Sequence, residues 1–134
     1  FRSPNKANLL KKGEDISIIS TGSMVTPSIE AATIIEQQTG KSVRVIDMHS
    51  IQPLDKEAIE NSRNGKLVVT VEEHYTTGGL GSAVADILTE KPNSPALLKL
   101  GIKDKYSTVG DYSFLLDQNR LTANQIADDI INKL

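Results

Sequence analysis

The chain has 134 residues, 38% of them hydrophobic and 24% charged, with 15 Lys and Arg against 17 Asp and Glu for a net charge of -2. That balance describes one globular domain; it excludes a disordered tail and gives no electrostatic ground for a nucleic acid or an anionic membrane as partner. A domain of this length hides roughly 65–70% of the surface its unfolded chain exposes, so it folds without disulfide or metal, in keeping with the absence of Cys.

Residues 1–7, opening Phe1-Arg2-Ser3-Pro4-Asn5-Lys6 without an initiator Met, read as a loose segment left from a linker, with the folded domain expected over 8–134 as a piece of something longer. No apolar run approaches the roughly 18 residues of a transmembrane helix and no signal peptide heads the chain, so a cytoplasmic protein is expected. Asn8-Leu9-Leu10-Lys11 suggests an edge strand. Ile16–Ser20, Val43–Asp47, Leu67–Val71 and Leu97–Leu100 are short aliphatic runs, several β-branched, of the kind that form strands covered on both faces.

Helical patterns separate them. Val25, Ile29, Ala32 and Ile35 recur at steps of four and three, and Pro27 is tolerated only near the first turn of such a helix. Asp55, after Pro53-Leu54, is placed to cap a short helix that Asn64-Gly65 is expected to close. Leu80, Val84, Ile87 and Leu88 form a second stripe, stopped by Lys91-Pro92. Thr122-Ala123-Asn124-Gln125 is a capping box, after which Ile126, Ile130 and Leu134 are expected to line one face of a last helix. Strand and helix in alternation define an α/β fold, a three-layer α/β/α sandwich of four or five strands whose ligands and partners belong at the carboxyl ends of the strands.

Two of those ends carry unusual residues. Ser20-Thr21-Gly22-Ser23-Met24 is a tight turn into a helix whose free amides can hold an anion, although one Gly falls short of the dinucleotide fingerprint and Asp47 alone does not restore it. Glu72-Glu73-His74-Tyr75-Thr76-Thr77-Gly78-Gly79-Leu80-Gly81-Ser82 brings three glycines into four positions, but Val84 stands where the fingerprint requires its third Gly. Glu72, Glu73 and His74 offer a metal or acid/base cluster on paper; neighbouring strand residues point to opposite faces, which argues against a shared metal. His49 is the only other His. There is no Cys thiolate and no Gly-x-Ser-x-Gly elbow, so no complete catalytic apparatus is visible. The candidate interface or anion-binding loop is Thr21, Gly22, Ser23, Glu73, His74, Gly78, Gly79, Gly81 and Ser82.

The order of motifs resembles the C-terminal domain of the transketolase family. The resemblance rests on Gly13-Glu14-Asp15-Ile16-Ser17-Ile18-Ile19-Ser20-Thr21-Gly22-Ser23-Met24-Val25, then Val45-Ile46-Asp47-Met48-His49-Ser50-Ile51-Gln52-Pro53-Leu54-Asp55, then Val71-Glu72-Glu73-His74 with Gly78-Gly79-Leu80-Gly81-Ser82-Ala83-Val84. Gly101 to Gly110 is similar to the family's segment after the last strand, with Lys103 where the family usually carries Pro. Glu-Glu-His before Gly-Gly-Leu-Gly-Ser-Ala-Val is most similar to transketolases, including those encoded as separate N- and C-terminal chains. Deoxyxylulose-phosphate synthases and 2-oxo-acid dehydrogenase beta subunits share the superfamily and stand as alternatives.

The resemblance implies a mostly parallel five-stranded sheet with an antiparallel edge strand. It also implies thiamine diphosphate chemistry in the full enzyme, a two-carbon ketol transfer between sugar phosphates. The family holds that cofactor and its divalent metal in the N-terminal domain and the cofactor-activating Glu in the middle domain. It therefore implies no catalytic, cofactor-binding or metal residue in this chain, only packing against the remaining domains or an N-terminal subunit, a homodimer in the full enzyme, and a regulatory contribution. A rival reading makes Thr21-Gly22-Ser23 and the Gly78–Ser82 loop an anion pocket of a nucleotide or sugar-phosphate binding module.

Overall fold

The computed structural model describes residues 6–49, 54–75, 79–102 and 116–134, without the side chains of His74 and Tyr75. Strands β1 (Asn8–Lys11), β2 (Ile16–Ser20), β3 (Val43–Asp47), β4 (Leu67–Tyr75) and β5 (Ala96–Ile102) form one sheet in the order β1-β3-β2-β4-β5. β1 pairs antiparallel to β3 at the edge, with an irregularity between Leu9 and Lys11, and the other pairs are parallel. The expected sheet, its antiparallel edge included, is the one observed. The strands β4 and β5 run further than their aliphatic cores suggest, because pairing continues through the polar stretch to Tyr75 opposite Ile102.

Helix α1 (Val25–Thr39) joins β2 to β3, α2 (Lys56–Glu60) and α3 (Leu80–Leu88) flank β4, and α4 (Ala123–Lys133) closes the chain. Residues alternate between two cores along each strand. Ile16, Ile18, Val43, Val45, Leu67, Val69 and Val71 pack under α1 and α4 with Ile35, Ile126 and Ile130. Ile19, Ile46 and Val68 face the other way, under α2 and α3 with Ile59, Leu80 and Val84. Coverage on both faces is why these strands read as unbroken aliphatic runs.

The helices were legible with local shifts. Along α1 the buried stripe is Ser28, Ala31, Ala32 and Ile35, one position round from the expected stripe, and Ile29 is 37% exposed. Small residues let α1 sit close to the sheet, and the buried Ser28 hydroxyl is satisfied by donating to the Met24 carbonyl at 2.7 Å. Pro27 does fall in the first turn, and Gly40 ends α1 at φ +74° with its amide donating to the Glu36 carbonyl.

Asp55 caps α2 as expected, accepting from the Ala58 amide, but α2 ends at Glu60 rather than at Asn64-Gly65. Gly65 is instead required by a close backbone approach. A Cβ there would lie 2.8 Å from the Asp15 carbonyl oxygen, and the adjacent Lys66 amide donates to that same oxygen. The stripe of α3 is buried throughout. The capping box of Thr122 and Gln125 is formed in both directions, and Ile126 and Ile130 are buried, whereas Leu134 lies past the helix end and is 45% exposed.

Candidate functional site

β2 and β4 are neighbours, yet β2 continues into α1 on one face while β4 leads towards α3 on the other. Their carboxyl ends border the crevice where the winding reverses, the place at which doubly wound domains meet ligands and partners. The backbone fixes the first lip: the Thr21 amide donates to the Val71 carbonyl at 3.3 Å, the Met24 amide to the Thr21 carbonyl at 3.1 Å, and the Met48 amide to the Ser20 carbonyl at 2.8 Å. Gly22 turns at φ +56°, a left-handed conformation that glycine adopts without strain. Ser23 follows, exposed, and its hydroxyl donates across the crevice to Glu73 Oε1.

The two glutamates of β4 diverge, as the alternation of strand side chains requires. Glu73 reaches Ser23. Glu72 is 1% exposed and turns to the start of α3, where its Oε1 accepts from the Leu80 amide and its Oε2 from the Gly81 amide, both at 2.8 Å. A carboxylate there satisfies two amides that lack helical partners and complements the positive end of the helix.

The glycines follow from that contact. A Cβ on Gly79 would overlap Glu72 Oε1, and one on Gly81 would stand 2.9 Å from Lys99 Cδ and 3.0 Å from Thr70 Oγ1. The glycine-rich sequence thus lets a buried carboxylate and the first turn of α3 come together.

The structure brings Thr21, Gly22, Ser23 and Glu73 to one rim, with Gly79 capping α3 and Gly81 and Ser82 inside its first turn. Gly78 and the His74 side chain lie outside the described residues, and His49 is exposed just past β3. Among the described residues no group of three or more His, Cys, Asp or Glu could hold a metal ion. The amides of Leu80 and Gly81 are taken by Glu72 and so are not open to a diphosphate. On sequence Glu72 is a candidate metal or acid/base group; its capping role emerges only in the fold. The signal was present: an ionisable residue continuing a fully buried strand must find donors inside the fold.

A doubly wound α/β domain with a mostly parallel five-stranded sheet, an antiparallel edge and a glycine-rich turn after its fourth strand is the class these features define. The chain belongs to the transketolase C-terminal domain family, which matches residues 5–126. It is 36% identical over 129 residues to a Methanocaldococcus jannaschii protein provisionally named transketolase C-terminal section, covering 96% of this chain and 40% of that one. It is 37% identical over 129 residues to a 1-deoxy-D-xylulose-5-phosphate synthase of Caldanaerobacter subterraneus, covering 96% of this chain and 21% of the relative. Among solved structures it is similar to a split-gene transketolase described as an inactive beta4 tetramer, with a TM-score of 0.89 and 36% identity over 98% of this chain and 43% of the other. The chain therefore spans less than half the length of each of these relatives.

Proposed function

We propose that the chain is the C-terminal domain of a thiamine-diphosphate-dependent transketolase, an enzyme that moves a two-carbon ketol unit between sugar phosphates. In this reading it packs against the remaining domains or an N-terminal subunit and completes a homodimer in the cytoplasm, while other domains hold the cofactor and its divalent metal. The observation that carries the reading is the carboxyl rim. Its one fully buried carboxylate among the described residues is committed to the fold, at the Leu80 and Gly81 amides, while Gly22 and Ser23 present an exposed, polar, backbone-braced edge suited to contact with another surface. The same observation disfavours the anion pocket, because a nucleotide or sugar phosphate would compete with Glu72 for those amides. The cofactor supplies the difficult chemistry, and this chain's residues supply position and support.

Deoxyxylulose-phosphate synthase is the second reading, favoured by the 37% identity to the Caldanaerobacter relative. Substrate choice by the assembled enzyme separates the two.

The test of the interface role combines this chain with the thiamine-diphosphate-binding part of the same enzyme and measures assembly mass and ketol-transfer rate. Ser23→Arg places a long charged side chain on the exposed rim. It is expected to weaken assembly at least about tenfold, the effect of some 1.4 kcal/mol at an interface. Unchanged mass and unchanged rate together would refute an interface at this rim.

A further inference from the structure

The amino ends of the strands carry a second feature, away from the crevice. Arg44 is the second residue of β3, on the side of Ile46 and opposite to Val43 and Val45, so it points to the face covered by α2 and α3. There it lines two adjoining cavities of about 340 and 280 Å3. In the larger, the charged groups are balanced within the protein. Lys6 Nζ pairs with Glu57 at 2.9 Å, and the Asp55 carboxylate accepts from the Ala7 amide at 2.7 Å and the Ala58 amide at 3.2 Å. Arg44 is not balanced. Among the described residues its Nε is shut off from water without a hydrogen-bond partner, and no carboxylate lies within ion-pair distance of its guanidinium.

Arg44 as a whole is half-buried and lines both cavities with no counter-charge paired to it among the described residues, and its planar fork is shaped for the two oxygens of a carboxylate or phosphate. The smaller cavity supplies what such a ligand would need around its charge. Ser17, 3% exposed, contributes to its wall from β2, and Asn61 and Asn64 line it from the turn between α2 and β4. Gly13 and Gly65 bring backbone into the lining where a side chain would collide with Val43 and Asp15 respectively. Glu14, which is exposed, is the one acid among the described residues of this lining.

We propose that this cavity is a binding site for a small oxyanion, a carboxylate or a phosphate monoester, seated on Arg44, with the polar groups of Ser17, Asn61 and Asn64 available to the ligand's own hydroxyls. The site is separate from the carboxyl rim and does not depend on the interface reading.

The experiment titrates the 134-residue chain with inorganic phosphate and, separately, with succinate, following the amide resonances of Gly13, Ser17 and Gly65. At least one probe is expected to give saturable shifts with Kd of about 1–10 mM, the range of a single good charge-assisted contact. Saturation by phosphate alone assigns a phosphate monoester, by succinate alone an organic acid, and by both the shared oxyanion chemistry. Arg44→Gln keeps most of the side-chain stem and should raise Kd at least about tenfold. Glu14→Gln, at an exposed position that leaves the fold intact, should lower it by removing the opposing charge. No saturable shift with either probe, an unchanged Kd in Arg44→Gln, or weaker binding in Glu14→Gln would overturn the assignment.

Discussion

Glu72 shows how one buried charge governs a loop's sequence. Its two oxygens each accept from an amide of the first turn of α3, and its approach excludes a side chain at Gly79. Glu72→Gln keeps the shape but turns an NH2 group towards one of the two backbone donors. We expect a loss of about 2–3 kcal/mol in urea unfolding, the cost of losing charge-assisted bonds and leaving a buried donor unmet. A loss below about 0.5 kcal/mol, the level of a neutral surface change, would mean that the carboxylate is not required. Gly79→Ala should destabilise more than Gly81→Ala. The first meets a fixed carboxylate, whereas the second presses mainly on the flexible methylenes of Lys99, which can move aside. The glycines were visible in the sequence, but their cause was not, because it lies in a residue of the preceding strand that only the fold brings to them.

At the scale of elements, capping chemistry was the most readable feature. The Thr122–Gln125 box is local, so four consecutive residues contain all the information, and the structure forms both of its bonds. Thr122→Ala should cost about 1 kcal/mol, measured by chemical unfolding, and leave the sheet unchanged. The Asp55 cap was readable for the same reason, whereas the second bond of Asp55, from the Ala7 amide, depends on a segment 48 residues away. The face of α1 was harder to read. Ile29 follows the helical period but is outranked by Ser28 and Ala31, because close approach to the sheet favours small side chains and a serine can satisfy its hydroxyl within the helix. The helix α2 stops short of Asn64-Gly65 because Gly65, which looks like a helix terminator, answers instead to the passing backbone of Asp15. The carboxyl rim was legible as a place, from strand ends and glycines. Its inner wiring was not, since Ser23 and Glu73 meet across 50 residues.

For the whole molecule, charge placement ties the edge of the sheet to the rest and sets its response to acid. Burial alone would raise Glu36, but the Lys11 ammonium and the Val43 amide outweigh it and hold the carboxyl below its ordinary 4.5. Hydrogen bonds from the Ser42 amide and hydroxyl hold Asp15 below its ordinary 3.8. Arg63 and Lys91 lower Glu60 in the same way. Carboxyls that are more acidic in the fold than in the unfolded chain contribute stability that is fully present above their ordinary values and lost as pH falls towards their folded ones. The urea midpoint should therefore be level from about pH 7 to 6 and decline progressively below about pH 4.5. A midpoint that rises on acidification through that window would contradict the assigned partners.

The proposed role makes this domain one part of a larger transketolase, contributing packing and contact while other domains hold the cofactor. The most direct measurement incubates the chain alone with thiamine diphosphate, magnesium, a ketose phosphate donor and an aldose acceptor, and follows product formation before and after adding the thiamine-diphosphate-binding part of the same enzyme. No product is expected from the chain alone, and a clear rate is expected once the two are combined. Ketol transfer by the isolated chain at a rate comparable with the combined enzyme would contradict it.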